Sequence, residues 1–564
     1  MIVESGESLT GAEILGATAV SWLASIVVFA YFVDWVGLTI APYQILAGSI
    51  AAATALFIWL RHGAEWLAGE IAAFTGVVGL VFAWLLWLTW PDLLPPGGGS
   101  DLAHHLQLVD YIDRHWRLVH DPSVESYLGE MVHYTPGAHL LASLFGHWIG
   151  ADGFHAVYPV VALAVAIKVG FVFLIARRTV RRPGSEGSGA EPTPKADTTT
   201  PFALVAVVLA FLPRAFVVGS FVRYSYIAQV VSELFAVTMW WALVVWDERP
   251  SAKALALFAI SGAAAFLTWP VWIGPPLVAF AILVVTRADV SIAGKRNALA
   301  IGGLPIAIVA AVHAAGALGW VKIVSTGTDS PLPAWSDFTW GFLAASALGI
   351  IAVVFGRRGR VTALVIAACA IQAGALFAIA KLNGAVVPYM AIKMIYFAIY
   401  PLAVAGACAV ATTWNAAVGA TPAARASGRL AWALVAVLGL FVGRSVVRAP
   451  IQKPIVSESL YRAGQWARSH LEPTCVDYIV AHDNTSYWLH LSVLGNRRMS
   501  ERTADDSTFI TRDAIVRWIE RGGLPYAVAD LGTIPRDVLS NTDELARFGT
   551  AVVIKRRGES TCMP

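Results

Sequence analysis

Apolar residues in this chain come in long unbroken runs rather than the short alternations of a soluble sheet protein. Stretches of about 17 to 25 residues, the length a helix needs to cross roughly 30 Å of hydrocarbon, fall near 12–33, 39–60, 67–90, 155–177, 201–217, 230–246, 254–271, 274–287, 298–321, 338–356, 361–380, 391–413 and 429–447. The pattern predicts a polytopic α-helical membrane protein with about thirteen transmembrane helices. One further apolar stretch, Pro136 to Gly150, is about 15 residues long and carries His139 and His147, so it is short for a crossing. It is expected to lie on the outer face as a juxtamembrane helix that starts near Pro136.

Composition agrees with this class. Hydrophobic residues make up 57% of the chain and charged ones 14%, and the mean hydropathy is +0.66; an ordinary soluble domain holds far more charge. A net charge of +3 argues against a basic nucleic-acid surface. The 22 tryptophans suit interfacial belts and sugar-stacking platforms alike. Met1 to Glu13 is polar and slightly acidic, with no basic region ahead of a short apolar core, so the first helix is expected to stay as an anchor.

Orientation follows from the cations, because short loops rich in Lys and Arg stay cytoplasmic. Arg177, Arg178, Arg181, Arg182 and Lys195 share one connection, Arg249 and Lys253 another. Arg287, Lys295 and Arg296, then Arg357, Arg358 and Arg360, then Arg425 and Arg429 fill the alternate loops on the same side. The expectation is a multi-pass protein of the cytoplasmic (inner) membrane with its N-terminus inside and the loop from Pro91 to Phe154 outside. Residues 1–448 then form the membrane domain, and 449–564 a soluble extracytoplasmic domain. A helical pattern over Ser457 to Leu471, a strand over Cys475 to Val480, a helix over Thr511 to Arg521 and strands over Tyr526 to Ala529 and Ala551 to Lys555 make that domain a small α/β fold. An oxidising compartment would allow Cys475 and Cys562 to pair. The run from Pro183 to Thr200 reads as a flexible linker.

Polar chemistry concentrates in the first large outer loop. Eight of the 13 histidines lie between His104 and His155. In the segment Ser100 to Val109 (SDLAHHLQLV), an aspartate and two histidines follow the Gly97-Gly98-Gly99 hinge. If Asp101 to Leu118 is helical, Leu102, Leu106, Val109, Ile112 and Trp116 form one apolar stripe, and Asp101, His104, His105 and His115 share an adjoining arc. Asp101 is the candidate catalytic base; the same carboxylate at a helix start also serves as an N-cap. Asp101 with His105 and His133 is one way to hold a divalent ion such as zinc or manganese. His104, His105, His133 and Tyr134 are candidate substrate-binding residues. Arg223, Gln229 and Glu233, with Tyr224 and Tyr226 beside them, form a second polar cluster leading into a span. Lys393 within YMAIKMIYFAIYP is the foremost phosphate binder, since ionisable groups in spans are costly and often functional; its alternative is snorkelling to the outer interface.

The layout of N-terminal spans, an outer Asp-bearing loop (GGGSDLAHHLQLVDYI), a Tyr-x-Pro-Gly helix start (HYTPGAHLLASLFG), many further spans and an outer C-terminal α/β domain resembles the GT-C superfamily of integral-membrane glycosyltransferases. The resemblance implies transfer of a sugar from a polyprenyl-phosphate donor to a glycan, lipid or protein acceptor at the outer face, with the loop aspartate, here Asp101, as base. A different class, a transporter or lipid flippase, would show an internal repeat, interrupted helices and ionisable groups near the midplane; no repeat is visible. No Walker A loop, Rossmann glycine fingerprint or G-x-S-x-G elbow is present.

Overall fold

A computed structural model describes residues 9–96, 100–124, 128–181, 199–222, 224–314, 337–356, 359–418, 424–447, 453–480, 524–534 and 536–558, with 485, 488, 489, 493, 518 and 562 singly. Its longer helices are α1 (Gly11–Trp35), α2 (Pro42–Leu60), α3 (Ala68–Trp87), α4 (Ser100–His115), α5 (Gly137–Trp148), α6 (Gly153–Val180), α7 (Thr199–Phe211), α8 (Ile227–Glu248) and α9 (Ala252–Thr268). They continue as α10 (Gly274–Thr286), α11 (Ile292–His313), α12 (Trp340–Phe355), α13 (Arg360–Leu382), α14 (Tyr389–Val418), α15 (Ala424–Val447) and α16 (Glu458–His470). Eight of these, α1, α2, α3, α6, α8, α11, α13 and α14, are long and apolar enough to cross a membrane, and α7, α9, α10, α12 and α15 contain shorter apolar helices. Each span expected from hydropathy overlaps one of these helices, although 201–217 runs past the end of α7 and residues 315–321 of the span 298–321 lie outside the described residues. Large apolar side chains such as Leu80 (75% exposed), Trp340 (83%) and Phe355 (85%) face outward, a surface that suits lipid and would be unfavourable in water.

The two ends of the helix bundle differ in charge. At one end α1 begins with a reciprocal cap: the Glu13 amide donates to Thr10 Oγ1 and the Thr10 amide to the Glu13 carboxylate. Glu13 is then gripped by Arg178 at the far end of α6, by Trp241 Nε1 at 3.2 Å, and through Arg178 it is joined to Glu248. Glu70 of α3 pairs with Arg177 and accepts from Thr10 Oγ1 at 2.7 Å. Arg287 and Arg360 meet Asp247 at the same end. Arg177, Arg178, Arg287 and Arg360, four of the cations that the positive-inside pattern groups on one side, thus lie at one end of the bundle.

The opposite end carries α4, α5 and the C-terminal domain. In that domain β1 (Val476–Ile479), β2 (Tyr526–Asp530), β3 (Thr542–Phe548) and β4 (Ala551–Arg556) form one sheet in the order β1-β2-β4-β3, with β1 parallel to β2 and the other pairs antiparallel. The expected helix and three strands match α16, β1, β2 and β4; the expected helix over 511–521 lies outside the described residues, apart from Trp518. β3 has no counterpart in the sequence reading, because TDELARF is mostly polar and half-exposed and carries no strong apolar alternation. Cys475 and Cys562 form a disulfide with a Cα–Cα distance of 4.4 Å. Expectation and structure part company at α5. The helix is short and lies at this end of the bundle, but it is packed in rather than lying open: Gly137 to Leu144 and Gly146 are buried, and Phe145, His147 and Trp148 are half-buried. Its two polar side chains in that stretch both have partners inside: Ser143 Oγ donates to the Val109 carbonyl at 3.4 Å, and His139 meets a histidine of α4.

Candidate functional site

The expected stripe residues Leu102, Leu106, Val109 and Ile112 of α4 are buried, but so are Ala103, Gln107, Leu108 and Asp110, so burial is not confined to one face. Asp101, in the first turn, is exposed, His104 is half-buried and His105 is buried. The arc of four does not hold together. His115 is exposed at the other end of the helix, where its Nδ1 bonds the Tyr111 carbonyl at 2.8 Å. Trp116 has left the helix at φ 48°, so the last turn of the expected face is missing.

His105 is paired with His139 of α5. Its Nδ1 lies 2.9 Å from His139 Nε2, and the rings stack with centroids 5.2 Å apart at 26°. Tyr134 stands edge-on to both, at 5.2 Å and 5.7 Å. A hydrogen bond between two imidazole nitrogens needs at least one neutral ring. Burial makes both rings neutral: it pushes His105 well below the ordinary value, helped by the charges of His139, His104 and Lys393, and it pushes His139 down to about 3.

The local sequence explains why α5 comes so close. Thr135 Oγ1 donates to the Thr268 carbonyl at 2.6 Å, at the end of α9. At Gly137 a Cβ would sit 2.3 Å from Thr268 Oγ1 and 2.9 Å from the Leu267 carbonyl oxygen, so only glycine permits the approach. Tyr134 is thereby laid against Trp269, with centroids 5.5 Å apart.

Trp269 connects the histidine pair to Lys393. The Lys393 ammonium lies 4.0 Å from the Tyr226 ring centroid, 4.2 Å from that of Tyr389 and 5.3 Å from that of Trp269. Tyr389 donates its hydroxyl to that of Tyr226 at 3.2 Å, and Tyr226 stacks on Tyr224. Each ring face attracts the cation. Asp101 interacts electrostatically with Tyr389, and Lys393 with His105. Segments from the loop after α3, the start of α8, the end of α9 and the start of α14 therefore meet at one place, at the end of the bundle remote from Arg177 and Arg178.

The remaining sequence candidates are placed differently. His133 is exposed at the end of a short turn, Gly129–His133. Arg223 lies outside the described residues. Gln229 is buried on α8; its carbonyl accepts from Trp272 Nε1 at 3.1 Å, and its side-chain amide has no hydrogen-bond partner among the described residues. Glu233, one turn farther along, is fully buried, pairs with Lys168 of α6 and accepts from the Tyr400 hydroxyl at 3.0 Å. That carboxylate is already engaged inside the bundle by Lys168 and Tyr400. His105 Nδ1 is used by His139, and among the described residues no group of three His, Cys, Asp or Glu side chains is arranged to hold a metal.

Sequence reasoning missed the roles of His139, Tyr389 and Lys168. His139 carried one available signal: a histidine in an otherwise apolar helix must find a buried partner. Lys168 carried another, as a lone cation within a hydrophobic run.

No family model matches this chain, and no curated protein matches it. Solved structures similar to it include the oligosaccharyltransferase AglB from Archaeoglobus fulgidus in complex with an inhibitory peptide and a dolichol-phosphate, at 14% identity, covering 81% of this chain and 69% of that one, with a TM-score of 0.44. The apo form of the Archaeoglobus fulgidus oligosaccharyltransferase is similar at 14% identity, 82% and 70% coverage and a TM-score of 0.47. The arabinofuranosyltransferase AftD from Mycobacteria is similar at 13% identity over 87% of this chain and 40% of that one, with a TM-score of 0.48. All are named as transferases of glycosyl groups. At such identities and scores, what this chain does must be argued from its own residues.

Proposed function

We propose that this protein transfers a sugar from a polyprenyl-phosphate-linked donor to a glycan, lipid or protein acceptor, at the outer membrane face. One observation carries the reading: a buried cation, Lys393, is held in a cage of aromatic rings at the same end of the bundle as the exposed carboxylate Asp101. A lipid-linked phosphate ester needs both charges at membrane depth, where its tail stays in lipid.

In this mechanism the acceptor hydroxyl gives its proton to the Asp101 carboxylate as its oxygen attacks the anomeric carbon. The bond between that carbon and the phosphate oxygen breaks, and the electron pair leaves with the polyprenyl phosphate. Lys393 compensates the charge that develops on the phosphate. Tyr134, Trp269 and Tyr226 offer ring faces to the sugar. His104 and His105, beside Tyr134, bind substrate hydroxyls in this reading, with the His105–His139 pair kept neutral so that it donates and accepts without adding charge, and His133, exposed at the end of its own turn, would reach the substrate only from the solvent side.

The test is transfer by the full-length protein from a panel of polyprenyl-phosphate hexoses and pentoses, with and without chelator. Asp101→Asn is expected to lower kcat by about 10²-fold or more. Undiminished turnover in that variant would remove Asp101 as the base. The buried Lys168–Glu233 pair favours a second reading, transport, because ionisable groups inside a bundle mark substrate or proton paths. Flux of a polyprenyl phosphate into vesicles that Glu233→Gln abolishes, without any sugar transfer by the parent, would favour transport instead.

A further inference from the structure

We propose that Arg468 of the C-terminal domain is a positioning residue for Asp101, holding α4 in place through Asp110. The inference rests on Asp101 being the base of the transfer reaction.

The guanidinium of Arg468 forks onto the Asp110 carboxylate, Nη1 to Oδ1 at 3.1 Å and Nη2 to Oδ2 at 2.9 Å. Nη1 also donates to the Val493 carbonyl at 2.6 Å, and Arg114 Nε donates to Asp110 Oδ1 at 3.0 Å. Asp110 is 5% exposed, so its charge is compensated almost entirely by protein. A bidentate pair fixes direction as well as distance, and a buried pair contributes geometry more reliably than it contributes stability.

The pair belongs to a wider clamp. Glu458, Tyr461, Gln465 and Arg468 recur at helical spacing and form one face of α16. Glu458 accepts from His155 Nε2 at 2.9 Å, and the Tyr461 hydroxyl donates to Asp152 Oδ2 at 2.7 Å. Gln465 steadies that hydroxyl at 3.0 Å. Asp152 in turn caps α6 by accepting from the His155 amide. The first residue of α6, Gly153, donates its amide to Asp113 Oδ2 at 2.9 Å. A Cβ at Gly153 would lie 2.4 Å from Val109 Cγ1, so α6 presses directly on α4. The second half of α4 is therefore held by α6 and α16 together, and Asp101 sits about 14 Å up the same helix axis. A continuous helix carries the placement from Asp110 to Asp101, and the C-terminal domain becomes part of the site's framework.

The test uses the full chain in lipid nanodiscs as Arg468→Ala, Asp110→Ala and the double variant, with Arg468→Lys keeping the charge but losing the fork. Amide exchange is read over residues 100–112 and, as control, over 227–248. Arg468→Ala is expected to speed exchange in the first segment about tenfold and leave the second unchanged. Sugar transfer from the polyprenyl-phosphate panel should lose about 10- to 100-fold in kcat with donor KM changed less than about twofold. The double variant should be no worse than either single one, since it removes both members of the pair and leaves neither charge behind unpaired, and Arg468→Lys should fall between. Unchanged exchange over 100–112 in Arg468→Ala, or additive losses in the double variant, would overturn the proposal. If the parent transfers no sugar but the exchange result holds, the reaction assigned to the site fails while the mechanical link from Arg468 to α4 is supported.

Discussion

His105 and His139, 34 residues apart, share a 2.9 Å hydrogen bond between ring nitrogens in the buried core behind Asp101. Two imidazoles in one dry pocket stay neutral, so the pair supplies polar groups without charge. This makes the packing of α4 against α5 sensitive to acid.

In the unfolded chain a histidine takes up a proton near pH 6.5, whereas His139 in the folded protein does so only at about 3. Between those values the unfolded chain binds more protons, so stability falls as pH drops from about 6.5 towards 3, by up to about 1.4 kcal/mol per pH unit for each such group. His139→Gln is expected to flatten this loss when thermal unfolding midpoints are measured from pH 7 to pH 5. An unchanged slope would show that the pair is not the source.

Asp113 acts in the same range with the opposite sign. Burial raises its carboxyl from 3.8 to about 6, against the lowering effect of Ser143 and the Gly153 amide. Between those values the folded state holds the extra proton, so stability declines as pH rises through the window. Asp113→Asn keeps an acceptor for Gly153 and is expected to raise the unfolding midpoint at pH 7.5 more than at pH 4. An equal shift at both pH values would count against a buried ionised carboxylate.

Lys393 is proposed to meet phosphate, and its three ring neighbours are proposed to hold it ready. Lys393→Gln is expected to lower transfer from a polyprenyl-phosphate donor by about 10²-fold or more, with a smaller loss for Tyr389→Phe, which removes only the bond to Tyr226. Donor titrations of purified variants check this; full turnover by Lys393→Gln would rule out the phosphate contact.

Gly137→Ala should loosen the site without touching a candidate binding residue. Its methyl group would meet Thr268 Oγ1 at 2.3 Å, and overpacking of this kind costs about 1–3 kcal/mol. A lowered thermal midpoint together with weaker protection of His105 from alkylating reagents is the expected result.

The Cys475–Cys562 disulfide closes a sequence separation of 87 residues around the sheet. Replacing both cysteines with serine is expected to cost the C-terminal domain about 2–5 kcal/mol. Proteolytic sensitivity of 449–564 with and without reductant measures it; equal sensitivity would mean the bond adds nothing to that domain.

Hydropathy alone determined the class of this protein and nearly all its helices, because a stretch such as 155–177 must be helical to satisfy its backbone in lipid whatever surrounds it. Local periodicity was likewise enough for the buried stripe residues of α4 and for β1, β2 and β4. What it could not supply was the pairing of distant residues. His105 with His139, Tyr226 with Tyr389 at a separation of 163, and Asp110 with Arg468 at 358 depend on how whole helices pack. The same limit explains the errors. His115 shares a helical face with His105 on paper, yet the neighbours of α4 bury one and leave the other exposed, and Glu233 was singled out without the Lys168 that engages it. Sequence periodicity is a property of one element, whereas a site is made by the side chains that several elements press together.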